Sequence, residues 1–339
     1  MSQIQAWTAS QANQPLSLQS FDLGELAAEE VEIQVQHCGI CHSDLSVWHN
    51  DWGISRYPIV LGHEAVGTVK AIGSAVRGLT VGQKVGVGWN AGSCMHCHPC
   101  LNGEGNLCHH AQPTMIGHHG GFADTIRSHW LWAIPIPQTL DVSRAGPLLC
   151  GGITVFAPLS VFNVKPTDRV GIVGIGGLGH MAIKFARAWG CEVTAFTSSS
   201  SKMDEAYELG AHRVISTYDQ TAIQRAVNSI DFLLITVNVS LEWTGLLKTL
   251  KPNGRMHVVG AVLEPLAIPA VELLFGQKSV SASPTGSPAM MATMLDFADR
   301  HQILPEVEHF PMSAVNEAFE HLAAGKARYR IVLDADFNY

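Results

Sequence analysis

The chain has 339 residues, of which 47% are hydrophobic and 15% charged, a composition typical of a well-buried enzyme of two ordinary domains. A net charge of −8 without any basic run argues against a nucleic-acid partner. No apolar run reaches the roughly eighteen residues of a transmembrane helix, and residues 1–7 do not resemble a signal peptide. We therefore expect no membrane partner and a cytoplasmic protein.

The first part of the chain, to about residue 150, is predicted to be rich in β-structure. Residues 31–35 and 67–73 alternate between polar and apolar side chains, as half-buried strands do. Glycines at 82, 86 and 88 punctuate a third stretch of the same kind.

Four cysteines, Cys94, Cys97, Cys100 and Cys108, follow this region. Their spacing is typical of a tetrahedral zinc site made of four thiolates. A disulfide cluster would suit a secreted protein, and chance clustering is the other alternative. Because a closed four-sulfur site leaves no position for a substrate, we expect this zinc to be structural, in a lobe of about residues 90–112.

The pattern changes near residue 151, where short apolar strands begin to alternate with helices. This alternation predicts a parallel, doubly wound sheet, and a helix and a strand close the chain. The predicted strands are 169–174, 191–197, 214–216, 232–236, 255–260, 280–282 and 330–333, and the predicted helices are 181–189, 202–209 and 289–300.

A glycine-rich turn, Gly174-Ile175-Gly176-Gly177-Leu178-Gly179, lies between a predicted strand and a predicted helix. In that context the three spaced glycines indicate a dinucleotide site: one for the tight turn, one for approach of the pyrophosphate, one for helix packing. The helix N-terminus adds free N–H groups and a positive dipole end. A turn with no ligand is the alternative.

The residues after the second strand of this region indicate which dinucleotide binds. An NAD site places an acid about twenty residues beyond the turn, at the strand end. Here that end carries hydroxyls and a cation, Thr197, Ser198, Ser199 and Lys202, whereas Glu192 comes too early. This set favours NADP through its 2′-phosphate; a merely polar turn would leave the preference loose.

Three further segments contain metal-ligand residues: 38–44 (Cys-Gly-Ile-Cys-His-Ser-Asp), 62–64 (Gly-His-Glu) and 146–154 (Gly-Pro-Leu-Leu-Cys-Gly-Gly-Ile-Thr). With the cysteine cluster and the glycine turn they resemble the zinc-dependent medium-chain alcohol dehydrogenases over the whole chain. The resemblance is strongest to the cinnamyl-alcohol-dehydrogenase branch and, through these segments and 325–330, to bacterial NADPH-dependent broad-specificity aldehyde reductases.

The resemblance implies that Cys41, His63 and Cys150 hold a catalytic zinc with an open fourth position. Glu64 is then the carboxylate that reaches the metal transiently, and Asp44 accepts a hydrogen bond from His63. Cys38 and Cys191 have no role in this pattern and are expected to be buried apolar residues.

A proton relay is also implied. Ser43 fits its inner hydroxyl, which passes a proton to the alkoxide and bridges toward the ribose. Many relatives have a histidine at the outer position, where this chain has Ser46. The outer route therefore stays open among Ser46 with water, His49 and His42.

The remaining expectations follow from the same resemblance. The fold is a GroES-like β-rich catalytic domain, residues 1–151 and 291–339, with a Rossmann domain, residues 152–290, and a homodimer joined through the strand near Val280. The active site is expected between the domains, at the carboxyl ends of the parallel strands. Beyond the glycine turn and serine loop, the expected cofactor contacts are Thr154, Thr236, Gly260, Ser283, Pro284 and Thr285.

The substrate is expected to be an aliphatic or aromatic aldehyde, reduced to a primary alcohol with NADPH. Trp48, Trp52, Trp89 and Met115 are candidates for an apolar pocket, although core packing explains each of them equally well. No arginine or lysine in these loops suggests a clamp for an oxo acid.

Three alternatives remain. A non-enzymatic binding module stabilised by a structural zinc would need neither the glycine turn nor the separate ligand set of Cys41, His63 and Cys150. Zinc-free quinone reductases of this fold lack both zinc sets, and polyol dehydrogenases usually replace Cys150 with an acid.

Overall fold

The computed structural model describes residues 3–337 and divides into two compact units. One comprises the chain through Ile153 together with the chain from Thr285 onward, and the other is Thr154–Pro284. The ends of the predicted catalytic domain, residues 1–2 and 338–339, lie outside the described residues.

The first unit is built mainly from short antiparallel strands. Its elements up to the unit boundary are the strands β1 (Gln3–Ala9), β2 (Ser17–Asp22), β3 (Glu30–Ile40), β4 (Ile59–Val60), β5 (Ala65–Ile72), β6 (Lys84–Val87), β7 (Asn90–Gly92), β8 (Gln112–Pro113), β9 (Thr125–His129) and β10 (Ile134–Pro135), and the helices α1 (His42–His49), α2 (His98–Leu101) and α3 (Val142–Ala145). The next helix, α4 (Gly151–Val161), begins in this unit and continues into the second.

The second unit alternates strand and helix. Its elements are the strands β11 (Arg169–Val173), β12 (Glu192–Thr197), β13 (Arg213–Ser216), β14 (Ile230–Ile235), β15 (Leu250–Val258) and β16 (Ser279–Ala282), and the helices α5 (Gly179–Trp189), α6 (Met203–Glu208), α7 (Gln220–Arg225), α8 (Trp243–Thr249) and α9 (Ala270–Leu274). The chain then returns to the first unit with α10 (Pro288–Arg300), β17 (Val307–Pro311), α11 (Val315–Ala323) and β18 (Arg330–Asp334).

A long sheet organises the first unit. Over the described residues its strand order is β10-β6-β5-β3-β18-β17, with β9 also paired to β3. The C-terminal strand β18 pairs with β3 in the register Ile331 to Ile40 and Leu333 to Cys38, so the end of the chain returns to the sheet that holds β3. The first candidate ligand, Cys41, directly follows the end of β3.

The second unit is a parallel sheet in the order β13-β12-β11-β14-β15-β16, as far as the described chain extends. Numbered within the unit this is 3-2-1-4-5-6, the doubly wound Rossmann order, so the predicted fold class is confirmed. The strand order reverses beside β11, between β11 and β14, where ligands bind in such sheets.

The helix after β11 shows how the local sequence determines this unit. On α5 the buried residues Ala182, Phe185 and Ala186 follow the i, i+3, i+4 spacing of an apolar helix face, which packs on the sheet. The helix ends at Gly190, whose φ of 104° is left-handed and whose N–H caps the carbonyls of Ala186 and Arg187. The predicted helix therefore ends at the expected residue and begins two residues earlier than predicted.

Within residues 3–337, no single helix is long and apolar enough to cross a membrane. One pair, Val142–Leu149 and Gly151–Val161, bent by 56°, meets that test only when both pieces are taken together.

Candidate functional site

Cys41, His63, Glu64 and Cys150 come together from three separate loops. Cys41 follows β3 at the start of α1, His63 and Glu64 precede β5, and Cys150 precedes α4. Their ligand atoms all lie within 4.8 Å of one another. His63 Nε2 is 3.2 Å from Cys150 Sγ, which is 3.9 Å from Cys41 Sγ. Two thiols and an imidazole are the established ligand set for catalytic zinc in alcohol dehydrogenases.

Asp44 organises the first two of these loops. It is fully buried, and its two oxygens accept the backbone N–H groups of Cys41 (2.8 Å) and Gly62 (3.0 Å). Its Oδ1 also lies 3.1 Å from His63 Nδ1. With Nδ1–H donating to the carboxylate, the lone pair of Nε2 faces the cysteines, which is the tautomer a metal ligand needs.

The pKa values of the two thiols, Cys41 and Cys150, are shifted in opposite directions. The hydrogen bond with Cys150 holds the pKa of Cys41 well below its usual value against the opposing effect of burial, with help from the nearby Arg330 charge. That same hydrogen bond, and then burial, raise the pKa of Cys150 well above its usual value. One thiolate thus disfavours the other, and a divalent cation between them would allow both to ionise.

Glu64 provides a second sign of a cation site. The carboxylate is fully buried and forms an ion pair with Arg330, which is itself buried. Burial raises the pKa of Glu64, and the Arg330 charge opposes the increase. Among the described residues its Oε2 has no hydrogen-bond partner, and one oxygen of this carboxylate lies within the ligand group. The residues present therefore fit zinc.

Arg330 and Gly39 are two residues at this site to which the sequence analysis assigned no role. Arg330 begins β18 and places Nη1 3.8 Å from Cys41 Sγ. A Cβ at Gly39 would lie 2.0 Å from Glu64 Oε2, so only glycine leaves room for the carboxylate. The available signal was an arginine opening an otherwise apolar strand, because such a charge needs a buried partner.

The predicted proton relay begins beside the ligand group. Ser43 Oγ lies 3.7 Å from Cys41 Sγ, beside the ligand group. Of the relay alternatives, Ser46 is half-buried, whereas His42 and His49 are exposed.

Of the four predicted pocket residues, Trp89 and Trp52 lie near the ligands. The Trp89 ring meets His63 edge-on with centroids 5.1 Å apart, and Trp52 lies 6.0 Å from Trp89. Trp48 instead packs on Phe319 at 5.3 Å, and Met115 is fully buried in the core. Their contact with substrate stays a prediction.

Cys38 and Cys191 lie outside both ligand groups. Cys38 is fully buried, and its thiol contacts the Gly39 carbonyl at 3.7 Å. Cys191 is buried in the second unit, where burial raises its pKa to about 12.

The other four cysteines form the second ligand group found within residues 3–337, again with all sulfur atoms within 4.8 Å. Cys108 Sγ is 3.5 Å from Cys94 Sγ and 3.7 Å from Cys97 Sγ. The backbone N–H of His96 is the main cause that lowers the pKa of Cys94 to about 6. For Cys97 the N–H of Cys100 acts in the same direction, but burial and the neighbouring thiols outweigh it and the pKa is about 12. Four sulfurs this close need a cation to ionise together, which zinc supplies.

Replacing Cys97 with serine is expected to open this cage. Metal analysis should find one zinc per chain in place of two, and the Tm should fall by about 10 °C, because a structural zinc contributes folding free energy directly. Cys191→Ser, which alters a buried cysteine outside both groups, is the control and should retain both metals. A Cys97→Ser protein that keeps two zinc ions and wild-type Tm would contradict the structural assignment.

The glycine turn has the shape that a dinucleotide requires. Gly174 has a φ of +92°, and a Cβ there would lie 2.4 Å from the Val237 side chain. At Gly179 a Cβ would lie 1.9 Å from the Gly174 carbonyl, so helix and strand approach closely. Gly176, by contrast, has no atom within 4 Å of its Cβ position, which leaves its backbone open to a phosphate. The turn therefore fits a pyrophosphate.

The loop after β12 lies next to this turn. Lys202 Nζ donates to the Ile175 carbonyl at 2.8 Å, which links the serine loop to the glycine turn. Ser198 is exposed, and the N–H of Ser199 donates to Thr197 Oγ1 at 3.1 Å. No acid lies between 197 and 202, so the loop has hydroxyl and ammonium donors and no carboxylate to repel a phosphate.

The remaining predicted cofactor residues lie mostly in the second unit. Thr236 follows β14 and donates to the Val173 carbonyl at 2.9 Å, while Thr154 is buried on α4. A Cβ at Gly260 would lie 1.8 Å from the Val237 carbonyl. Ser283 and Pro284 follow β16, and Thr285 begins the return to the first unit. Their contact with a cofactor stays a prediction.

Comparison with known proteins agrees with this geometry. Residues 27–138 match the alcohol dehydrogenase GroES-like domain, and residues 177–300 match the zinc-binding dehydrogenase family. The aldehyde reductase AdhA of Synechocystis sp. is 53% identical over 335 residues, which cover 99% of this chain and 100% of that protein.

Solved structures agree as well. A cinnamyl alcohol dehydrogenase of Sorghum bicolor, SbCAD4, superposes with a TM-score of 0.96 at 37% identity over the whole of both chains. A cinnamyl alcohol dehydrogenase of Helicobacter pylori, solved with NADP(H), superposes with a TM-score of 0.90 at 27% identity over 98% of each chain. The predicted resemblance is confirmed, and this chain belongs to the zinc-binding medium-chain alcohol dehydrogenase family, in its cinnamyl-alcohol-dehydrogenase branch.

Proposed function

We propose that this protein reduces aliphatic and aromatic aldehydes to primary alcohols with NADPH, and catalyses the reverse oxidation. The observation that carries the proposal is the ligand group of Cys41, His63 and Cys150, with the imidazole oriented by Asp44. The 53% identity to an aldehyde reductase over nearly the whole chain supports the direction and the substrate class.

The chain's residues divide the reaction between them. Cys41, His63 and Cys150 would hold zinc, which when bound polarises the aldehyde carbonyl, while NADPH supplies the hydride to its carbon. Ser43, whose Oγ lies 3.7 Å from Cys41 Sγ, donates the proton that completes the alcohol at the oxygen atom. Glu64, paired with Arg330, keeps one carboxylate oxygen directed into the ligand group.

NADPH is proposed over NADH because of the loop after β12. Ser198, Ser199 and Lys202 offer hydroxyl and ammonium donors to a 2′-phosphate. The NADP(H) found in the Helicobacter pylori relative supports the same choice.

A panel of aldehydes assayed with NADPH and with NADH tests the function. We expect the highest kcat/KM for medium-chain aliphatic and aromatic aldehydes with NADPH. Removal of zinc by a chelator should abolish this activity, and added zinc should restore it. Activity confined to sugars or keto acids would overturn the substrate class.

We also propose a homodimer joined through β16, the edge strand of the parallel sheet. An exposed edge pairs readily with a second copy, and the preceding helix α9 leaves Leu274 and Phe275 exposed at 68% and 85%. Sedimentation at micromolar concentration should give twice the mass of one chain. A monomer at that concentration would exclude this assembly.

A cytoplasmic location is proposed from the cysteines. All eight, each within the described residues, are free thiols. Unpaired cysteines are typical of that reducing compartment, whereas disulfides persist outside it.

A further inference from the structure

A buried histidine that belongs to neither ligand group lies in the parallel sheet. His257 is the penultimate residue of β15 and is fully buried. Its Nδ1 lies 2.9 Å from Ser281 Oγ, and its Nε2 lies 2.9 Å from Ser283 Oγ. One ring therefore bonds two hydroxyls of the neighbouring chain segment, one within β16 and one just beyond it.

The surroundings keep this imidazole neutral. The Phe162 ring packs on it with centroids 4.9 Å apart, and the Arg255 guanidinium lies 4.2 Å above the same phenylalanine. Burial first, and then the Arg255 charge, lower the pKa of His257 to about 4. A neutral ring has one donor and one acceptor nitrogen, so one serine accepts and the other donates.

The two hydrogen bonds differ in where they act on the fold. His257 is paired with Ser281 in the register of β15 and β16, so that bond lies inside the sheet. Ser283 directly follows Ala282, the last residue of β16. Its backbone N–H makes only a long hydrogen bond, 3.4 Å, to the Val258 carbonyl. The His257–Ser283 bond therefore supplies a firm connection just past the end of the strand.

This place matters because of the sheet's polarity. All strands of the sheet run parallel, so β15 and β16 end at the same edge as β11, which leads into the glycine turn. Ligands of such sheets bind beyond the carboxyl ends of the strands. The segment that begins at Ser283 is among those expected to contact the cofactor.

We propose that His257 is a positioning residue for cofactor binding, which holds Ser283 so that the following backbone is preorganised for the cofactor. The inference rests on the proposed use of a nicotinamide cofactor. It assigns no chemistry to the imidazole, which acts only through Ser283.

Two substitutions of His257 separate its two bonds. Glutamine places its amide near the position of Nε2 and can retain the bond to Ser283, whereas asparagine places its amide near Nδ1 and can retain only the bond to Ser281. We expect His257→Asn to raise the Kd of NADPH, measured by fluorescence titration, by about fivefold to tenfold, the worth of roughly one hydrogen bond. His257→Gln should stay within about twofold of wild type.

Ser283→Ala and Ser281→Ala each remove one 2.9 Å bond to the same ring. Ser281 Oγ also accepts a hydrogen bond from Arg255 Nη1 at 3.3 Å, so Ser281→Ala should lower the Tm at least as much as Ser283→Ala. Only Ser283→Ala should raise the Kd and the KM of NADPH. Neither should change zinc content or the KM of the aldehyde. Equal Kd values in the two alanine variants, or a wild-type Kd in His257→Asn, would overturn the positioning role.

Failure of the proposed function would look different. A wild-type protein that binds neither NADPH nor NADH would remove the basis of that function before any variant is compared. A wild-type protein that binds NADH instead leaves the test intact, with NADH as the probe.

Discussion

Replacing Cys150 with serine is expected to lower kcat for aldehyde reduction by about a thousandfold or more. Cys150 Sγ lies 3.2 Å from His63 Nε2 and 3.9 Å from Cys41 Sγ, so it completes the three-ligand set. A neutral serine hydroxyl binds zinc far more weakly than a thiolate, and several kcal/mol of transition-state stabilisation depend on the metal. Zinc analysis should fall from two ions per chain to one. Because the glycine turn lies elsewhere in the sequence, the Kd of NADPH should change by no more than about twofold.

Cys38→Ala is the matched control for this variant. Cys38 is a buried cysteine only three residues from Cys41, yet it lies outside the ligand group. The variant should keep two zinc ions and most of the turnover. Loss of zinc in Cys38→Ala but not in Cys150→Ser would mean that the ligands are assigned wrongly. Loss of fold in Cys150→Ser with intact turnover in Cys97→Ser would mean that the roles of the two zinc sites are exchanged.

The fold of the second unit was largely predictable because its signals are local. Each short apolar strand is followed by a turn or helix signal within a few residues, and the order of the elements then restricts the topology. One strand was longer than predicted. β15 begins at Leu250, but Pro252, Asn253 and Gly254 interrupt its apolar pattern, so only its second half was recognisable.

The candidate site was predictable where its residues lie in short motifs and unpredictable where it depends on long-range packing. Cys41, His63 and Cys150 each lie in a segment of recognisable composition. The partner of Glu64 is Arg330, 266 residues away, and only the pairing of β18 with β3 brings it there. Gly39 is similar, because its need for a missing Cβ appears only once the carboxylate beside it is known.

His257 illustrates a further limit of sequence reasoning. In the sequence it interrupts a buried strand as a single polar residue, and its two serine partners lie 24 and 26 residues later. A lone histidine of this kind has no spacing signal, because its partners belong to a different strand. Only the parallel register of β15 and β16 identifies them.

Replacing Ser198 with aspartate is expected to reverse the cofactor preference, with a change of about a thousandfold in the ratio of kcat/KM for NADPH to that for NADH. Ser198 is exposed directly after β12, the strand end at which NAD-binding proteins carry an acid. The new carboxylate would accept hydrogen bonds from the ribose hydroxyls of NADH and repel the 2′-phosphate of NADPH, so both affinities should move in opposite directions. Steady-state kinetics with each cofactor, at a fixed aldehyde concentration, measure the ratio.

Ser200→Asp provides the control for this reversal. It adds the same charge to the same loop, two residues further on, where Ser200 is also exposed and begins a short 3₁₀-helix. Because salt screens exposed charges and a ribose contact requires close approach, its effect on the ratio should stay within about threefold. Equal effects of the two variants would mean that the loop acts through general electrostatics and that Ser198 does not contact the ribose. A wild-type enzyme that already favours NADH would show that the hydroxyls and Lys202, which donates to the Ile175 carbonyl at 2.8 Å, maintain the shape of the turn and do not select the phosphate.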